Sequence, residues 1–279
     1  MRFKTILAEM VLAAVLPGAQ LDSKLLKLIP QDANVVCGID LDRYRATALT
    51  SFYPVDPWVR TFAGDGLHQL IAILQGPAQH APELTIYVGP VGSPVGWDDG
   101  NEYRVLDDST AILGNDLVVD EAMERWNQAE LPNEALASKI KVLSDTYDAW
   151  VIAIKPFDEN ESPGIPINLK HRADFLQLVQ EVQAGIRLGS FYDATVEITL
   201  PSPDDAYAMA AIGRWLPGFI QASQPSSKES SLADLAENIT AIAKGNVASL
   251  SFSLDPIKLQ ELIESQRKAE KEQDSDAIQ

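Results

Sequence analysis

The sequence predicts an α+β protein built of two similar halves of mainly antiparallel sheet, with helices packed on one face. Three observations lead there. A β-prone run followed by Asp or Ser and then by helical periodicity recurs at 35–56, 110–127, 195–220 and 247–267. The apolar runs 70–74 and 84–88, separated by Gln75-Gly76-Pro77 and a polar connector, read as antiparallel neighbours. No fixed short period of the solenoid kind is present, so the recurrence describes two halves and not a repeat array.

The clearest unit is 101–130. Tyr103, Val105 and Leu106 precede Asp107-Asp108-Ser109, whose short side chains bond their own backbone and favour a turn. Thr110 to Leu113 form an apolar β-prone run closed by Gly114-Asn115. Asp116 then reads as an N-cap, and Val119, Met123 and Trp126 recur at spacings of four and three, which gives one apolar helical face.

Earlier in the chain, 22–30 reads as a short amphipathic helix stopped by Pro30, 35–41 as a strand, and 43–52 as helical before Pro54 and Pro57. Later, 133–143 is expected as a helix with Leu136, Ile140 and Leu143 on one side, and 150–154 as a strand. Phe175, Val179, Val182 and Ile186 predict a helix over 172–188. Val196 and Ile198 alternate with Thr195, Glu197 and Thr199, the pattern of a half-buried strand. Ser202-Pro203-Asp204-Asp205 opens a helix that should be interrupted or end near Pro217. A helix over 232–243, a strand over 247–254 and a last helix from 257 complete the expectation.

These elements divide the chain into a signal peptide (1–19), a first half (20–157), an acidic linker (158–170), a second half (171–267) and a fraying tail (268–279). The first segment has the layout of an export signal: a basic head at Met1-Arg2-Phe3-Lys4, an apolar run over 5–16, and Pro17-Gly18-Ala19 before the expected cut. No later segment reaches the roughly 20 uninterrupted apolar residues a spanning helix needs. A periplasmic or secreted protein with no transmembrane segment in the mature chain is the expectation.

With a formal charge of -18, the surface repels phosphate backbones, and no basic stripe is available to release counterions; nucleic acid is excluded as a partner. Cys37 is the only cysteine, so there is no intramolecular disulfide and no cysteine-based metal site. It lies in a strand-like run, where a buried thiol is expected.

Motifs for catalysis fail in turn. Gly92-Ser93-Pro94-Val95-Gly96 lacks the spacing of a nucleophile elbow, and His68, His80 and His171 supply no paired ligand or base pattern. Ser138-Lys139-Ile140-Lys141 matches S-x-x-K but sits on an amphipathic helix with no K-T-G following. Gly64-Asp65-Gly66 is not a phosphate loop. Paired acids at Asp40/Asp42, Asp98/Asp99, Asp107/Asp108 and Asp204/Asp205 mostly occupy turns and helix starts, where capping and the helix dipole explain them. Asp158-Glu159-Asn160-Glu161-Ser162 begins like a calcium loop but has Pro163 where glycine is required and Leu169 in place of the closing glutamate. No cofactor and no metal are expected.

Of five tryptophans, Trp126, Trp150 and Trp215 fall on apolar faces and are expected in the core. Trp97, beside Asp98 and Asp99 in the Gly/Pro-rich loop 89–100, is the candidate recognition residue, and these three form the candidate binding site.

The segments LLKLIPQDANVVCGIDLDRYRATAL, LDDSTAILGNDLVVDEAMERW and ITLPSPDDAYAMAAIGRWL, behind an export signal, resemble a group of exported proteins from acidobacterial-type genomes with no assigned activity. The resemblance implies a periplasmic or secreted α+β protein and carries over no catalytic residue. The function expected is therefore a non-catalytic module that binds another protein or an extracellular ligand through a sheet face or the 89–100 loop. The alternative is a hydrolase whose carboxylates gather from separate turns.

Overall fold

The computed structural model describes residues 21–47, 50, 66–74, 83–90, 101–129, 131, 133–156, 177–223 and 238–261. Ten strands form one antiparallel sheet: β1 (Val35–Asp40), β2 (Gln69–Leu74), β3 (Leu84–Val88), β4 (Glu102–Asp107), β5 (Thr110–Gly114), β6 (Ala149–Ile154), β7 (Glu181–Leu188), β8 (Tyr192–Thr199), β9 (Thr240–Lys244) and β10 (Val247–Leu254). The helices include α1 (Leu41–Arg45), α2 (Asp116–Trp126), α3 (Glu134–Thr146) and α4 (Pro203–Ser223), with a 3-10 turn at Leu25–Leu28, and residues 256–261 are helical where the last helix was expected.

The strand order is β4-β5-β3-β2-β1-β6-β7-β8-β10-β9. Read outward from the centre, β1-β2-β3-β5-β4 on one side is matched by β6-β7-β8-β10-β9 on the other, so the two halves share one topology. They meet where β1 pairs antiparallel with β6, from Val35↔Ala153 to Ile39↔Ala149. The α+β class and the two similar halves are thus seen directly, and the halves form a continuous sheet. The linker expected over 158–170 lies outside the described residues.

At this seam the pleat sets the packing. Gly38 of β1 stands opposite Trp150 of β6, and Trp150 opposite Gly185 of β7. The Trp150 ring lies over Gly38, where an added Cβ would come within 2.5 Å of it, and the Tyr147 ring covers Gly185, at 2.1 Å from such a Cβ. Two missing side chains are what let two aromatic rings lie flat on the sheet.

Directly opposed residues share a face, so the register assigns every layer. The face of Val36, Ile71, Ile73, Ile86, Ile112 and Ile152 carries the largest core cluster, filled from above by Leu25, Leu28, Val119, Ala122, Leu136 and Ile140. The 3-10 turn, α2 and α3 therefore cover this side. Helix α2 begins at an Asn115 cap, whose side chain accepts from the Val118 N–H at 3.0 Å, one residue before the expected Asp116. Asn133 caps α3 in the same way through Leu136. The opposite face, that of Val35, is covered by α1 and α4: Leu41 packs with Tyr87 and Leu113, Tyr44 with Ile186 and Tyr192, and Ala206, Met209 and Ala210 with Leu200 and Ala248. Helices expected on one face are thus divided between the two, α2 and α3 on one and α1 and α4 on the other.

Several expected elements change type or extent. The helix predicted over 172–188 is strand β7 from Glu181 onward. A spacing of four fits a strand as well as a helix, and the alternation of Val182, Ala184, Ile186 and Leu188 against Gln183 and Arg187 is the pattern the sheet uses. The helix predicted up to 243 is strand β9 from Thr240. Gly245-Asn246 makes the two-residue turn of a β9–β10 hairpin, with Gly245 at φ 59 in the first loop position, where a left-handed backbone favours glycine. Helical backbone also continues through Pro217 to Ser223. Pro217 forfeits one backbone bond, which does not stop a helix already held against the sheet over its first turns. The export signal (1–19), Trp58, the calcium-like segment and the terminal tail lie outside the described residues.

Replacing Gly38 by alanine should destabilise the protein by about 1–3 kcal/mol, because the Trp150 ring must leave its place on the seam. Urea unfolding of G38A beside the wild type checks this, and the same substitution at Gly189, whose added Cβ would meet nothing closer than 3.8 Å, should cost less.

Candidate interaction surface

The site expected from the sequence, Trp97, Asp98 and Asp99, lies outside the described residues. The described residues offer another surface, on α4. Its start follows from Ser202, whose Oγ accepts from the Asp205 N–H at 3.2 Å and donates to the Asp205 carboxylate at 2.6 Å, with Pro203 in the first turn. From there the helix buries Ala206, Met209, Ala210 and Gly213 against the sheet. Gly213 allows this close approach, since a Cβ there would stand 2.8 Å from that of Ala241.

The outer face of the same helix is apolar as well. Tyr207 is 66% exposed, Ile212 37% and Trp215 78%. At 100° per residue, Tyr207, Ala211, Trp215, Ala208 and Ile212 fall in one continuous arc opposite the buried residues. Asp204 falls within this arc at its N-terminal end, and Asp205 and Arg214 border it on either side. The Arg214 guanidinium lies 5.4 Å from the Tyr207 ring centre and donates to the Ala241 carbonyl at 3.0 Å, so this cation is tied down beside the aromatic face. A helix on the surface of a soluble domain ordinarily turns polar residues outward; an exposed Trp–Tyr–Ile arc is the composition of a contact surface.

Trp215 was expected in the core and is not there. Trp150 is, at 2% exposure, and Trp126 packs at the edge of the main cluster with the Lys24 ammonium 4.0 Å from its ring. The signal that separates Trp215 was present in 203–215: the segment carries two apolar arcs, and a helix lying on a sheet can bury only one of them.

The acids sort differently. Asp42 takes an ion pair from Arg45 at 3.2 Å and a short contact of 2.6 Å from His68 Nδ1. Asp107 accepts from the Ser109 N–H at 3.0 Å and pairs with Lys24 at 3.1 Å; burial acts against its ionised form, yet these bonds hold its carboxyl down at about 2. Lys141, the lysine of the S-x-x-K match, pairs with Asp145 at 3.1 Å one turn along α3, and its neighbour Lys139 pairs with Glu181 at 2.5 Å and serves the α3–β7 contact. Among the described residues no group of three or more His, Cys, Asp or Glu is placed to hold a metal ion. Cys37 donates to the Ala72 carbonyl at 3.7 Å, and burial pushes its thiol up to about 11, which makes it inert.

One pair of carboxylates does converge. Asp40 at the end of β1 and Asp148 just before β6 are 9% and 2% exposed, and burial pushes both carboxyls up, Asp148 to about 7. Each is occupied with backbone. One Asp40 oxygen accepts from the Asp42 and Arg43 N–H groups, capping α1, and Asp148 Oδ2 accepts from the Leu188 N–H at 2.5 Å. A general acid or base has to reach its substrate, and these groups face inward.

Fold and surface together define a class: a single-sheet α+β protein that presents an aromatic helix face. No family model matches the chain, and no curated protein matches it. Among solved structures, crystal form I of TP0453 covers 88% of this chain and 98% of that one at 9% identity and a TM-score of 0.46; crystal form III covers 86% and 97% at 9% identity and a TM-score of 0.47. Likenesses at this level carry no argument about fold or function. No helix among the described residues is long and apolar enough to cross a membrane.

Because the Trp215 side chain rests in solvent, Trp215→Ala should leave the free energy of unfolding within about 0.5 kcal/mol of wild type, whereas Ile140→Ala in the main core should cost about 2–5 kcal/mol. Paired denaturant titrations of the two variants test the assignment. Trp215→Phe should also reduce the share of the tryptophan emission that acrylamide quenches readily.

Proposed function

We propose that this protein is an exported, non-catalytic interaction module and that it engages its partner, a protein or extracellular ligand, through the outer face of α4. The observation that carries the reading is Trp215, a large aromatic residue 78% exposed in the middle of an apolar helical arc. Tryptophan and tyrosine are the residues most often found to anchor interfaces, because a rigid ring buries much area at small entropic cost. A strongly acidic surface around a neutral aromatic stripe favours a partner that offers an apolar groove with a basic or neutral rim. Export rests on the layout of the first 19 residues.

The hydrolase alternative needs carboxylates that converge and also face a substrate. Asp40 and Asp148 meet the first requirement and, being buried and bonded to backbone amides, not the second.

Capture experiments with residues 20–279 as bait should recover a partner that is lost when Tyr207 and Trp215 are both changed to serine. Circular dichroism should show that variant folded. A partner retained equally by both baits would overturn the assignment of α4, and turnover of a hydrolase substrate abolished by Asp148→Asn would overturn the non-catalytic reading.

A further inference from the structure

The Asp40–Asp148 pair sits at the seam that joins the halves, and its geometry is unequal. Asp40 has two N–H donors aimed at one carboxylate oxygen, from Asp42 at 3.0 Å and Arg43 at 3.2 Å. Asp148 has one, the Leu188 N–H on Oδ2, while its Oδ1 is buried with no hydrogen-bond partner among the described residues. The two residues are held together by backbone: the Asp40 N–H donates to the Asp148 carbonyl at 3.1 Å, and the Asp148 N–H to the Ile186 carbonyl at 3.0 Å. A bare carboxylate oxygen in that position is costly, and a second anion beside it raises the cost.

Among the described residues the charged groups facing the pair are Arg43 and Asp42 on α1 and Arg187 on β7. Both arginines favour the ionised form, and burial together with Asp40 outweighs them at Asp148. Asp42 is itself occupied by Arg45 and His68. Arg187 also lies 5.7 Å from the Tyr147 ring centre.

The geometry points to a proton-binding site: Asp148, beside the carboxylate of Asp40, carries a proton on its unpartnered Oδ1, and its release loosens the junction of β1, β6, β7 and α1. Asp40 keeps its charge because two amides stabilise it; Asp148 takes the proton because one of its oxygens has no donor. The element that responds is α1. Its cap is Asp40, and its side chains Leu41 and Tyr44 plug two separate clusters on the Val35 side of the sheet. With both acids ionised, like charges press on the cap of a helix only five residues long.

The sign follows from linkage. A carboxyl whose folded pKa stands above its unfolded value of 3.8 adds stability that is complete below the unfolded value and is lost as pH rises through the folded value, here about 7. Over that window one extra proton is bound in the folded state, so the folding constant should fall about tenfold per pH unit relative to a variant without the site.

Two measurements test this on the mature chain. Carboxyl carbon NMR of the wild type should show Asp148 titrating with a midpoint near neutrality and Asp40 well below it, as expected of a coupled pair; a midpoint for Asp148 below about 5, in the range of an unperturbed aspartate, would overturn the proposal. Asp148→Asn keeps an acceptor for the Leu188 N–H and removes the proton. Its stability between pH 5 and 7 should lack the wild-type slope, and hydrogen exchange at Leu188, Asp42 and Arg43, corrected for intrinsic rates, should no longer rise above pH 7. Parallel slopes in the two proteins would overturn it, and if the variant fails to fold the wild-type NMR midpoint decides alone.

Discussion

The antiparallel pairing of β1 with β6 is the interaction on which the rest of the structure depends. It fuses two five-stranded sets into one sheet, it places Trp150 over Gly38 on one face, and it brings Asp40 beside Asp148 at one end. Its partners are distant in sequence, residues 35–39 with 149–153, so the chain must close a long loop before the centre of its sheet exists. Helices α2 and α3 belong to that loop, and their packing on the Val36 face is what repays its closure. Burial at the seam is nearly complete: Val35, Val36, Ile152 and Ala149 are each 1% exposed.

Against that fixed centre, α4 is peripheral and differently used. Its inner face anchors it to β9 and β10, and among the described residues nothing covers Tyr207 and Trp215 on its outer face. An inner arc made mostly of small residues (Ala206, Ala210, Gly213, with Met209) brings the helix close to the sheet, while Tyr207, Ile212 and Trp215 turn outward. That inversion of the usual arrangement is the basis for assigning a partner to this helix and not to the sheet.

Much of this fold was legible from periodicity and punctuation. The unit from β4 to α2, the β2–β3 neighbours and strands β6, β8 and β10 follow from runs bounded by Gly, Asn and Asp, because those residues have a local conformational reason to be where they are. What was not legible has equally physical causes. Val182 and Ile186 are four apart, which a strand and a helix both allow, and only the neighbouring alternation separates them. Thr240 to Lys244 is too short to show a period, and it becomes a strand because β10 is present to pair with it. Trp215 reads as a core residue by type, and only the sheet's position shows which arc of α4 is buried. Asp40 and Asp148 lie far apart in sequence, and nothing local marks them as neighbours; Asp40 was legible as a cap, Asp148 not at all.

The shared topology of the halves bears on history and assembly. A chain of half this length with the strand order of either side would leave its first strand as an open edge, and two copies pairing there antiparallel would form a dimer with a self-complementary interface. In the present chain the same pairing is intramolecular, so it no longer depends on protein concentration, and the two sides are free to diverge. Among the described residues they differ: one carries paired helices over the Val36 face, the other a long helix with an aromatic exterior. Tethering two equivalent units has released one of them from duplicating the other's role.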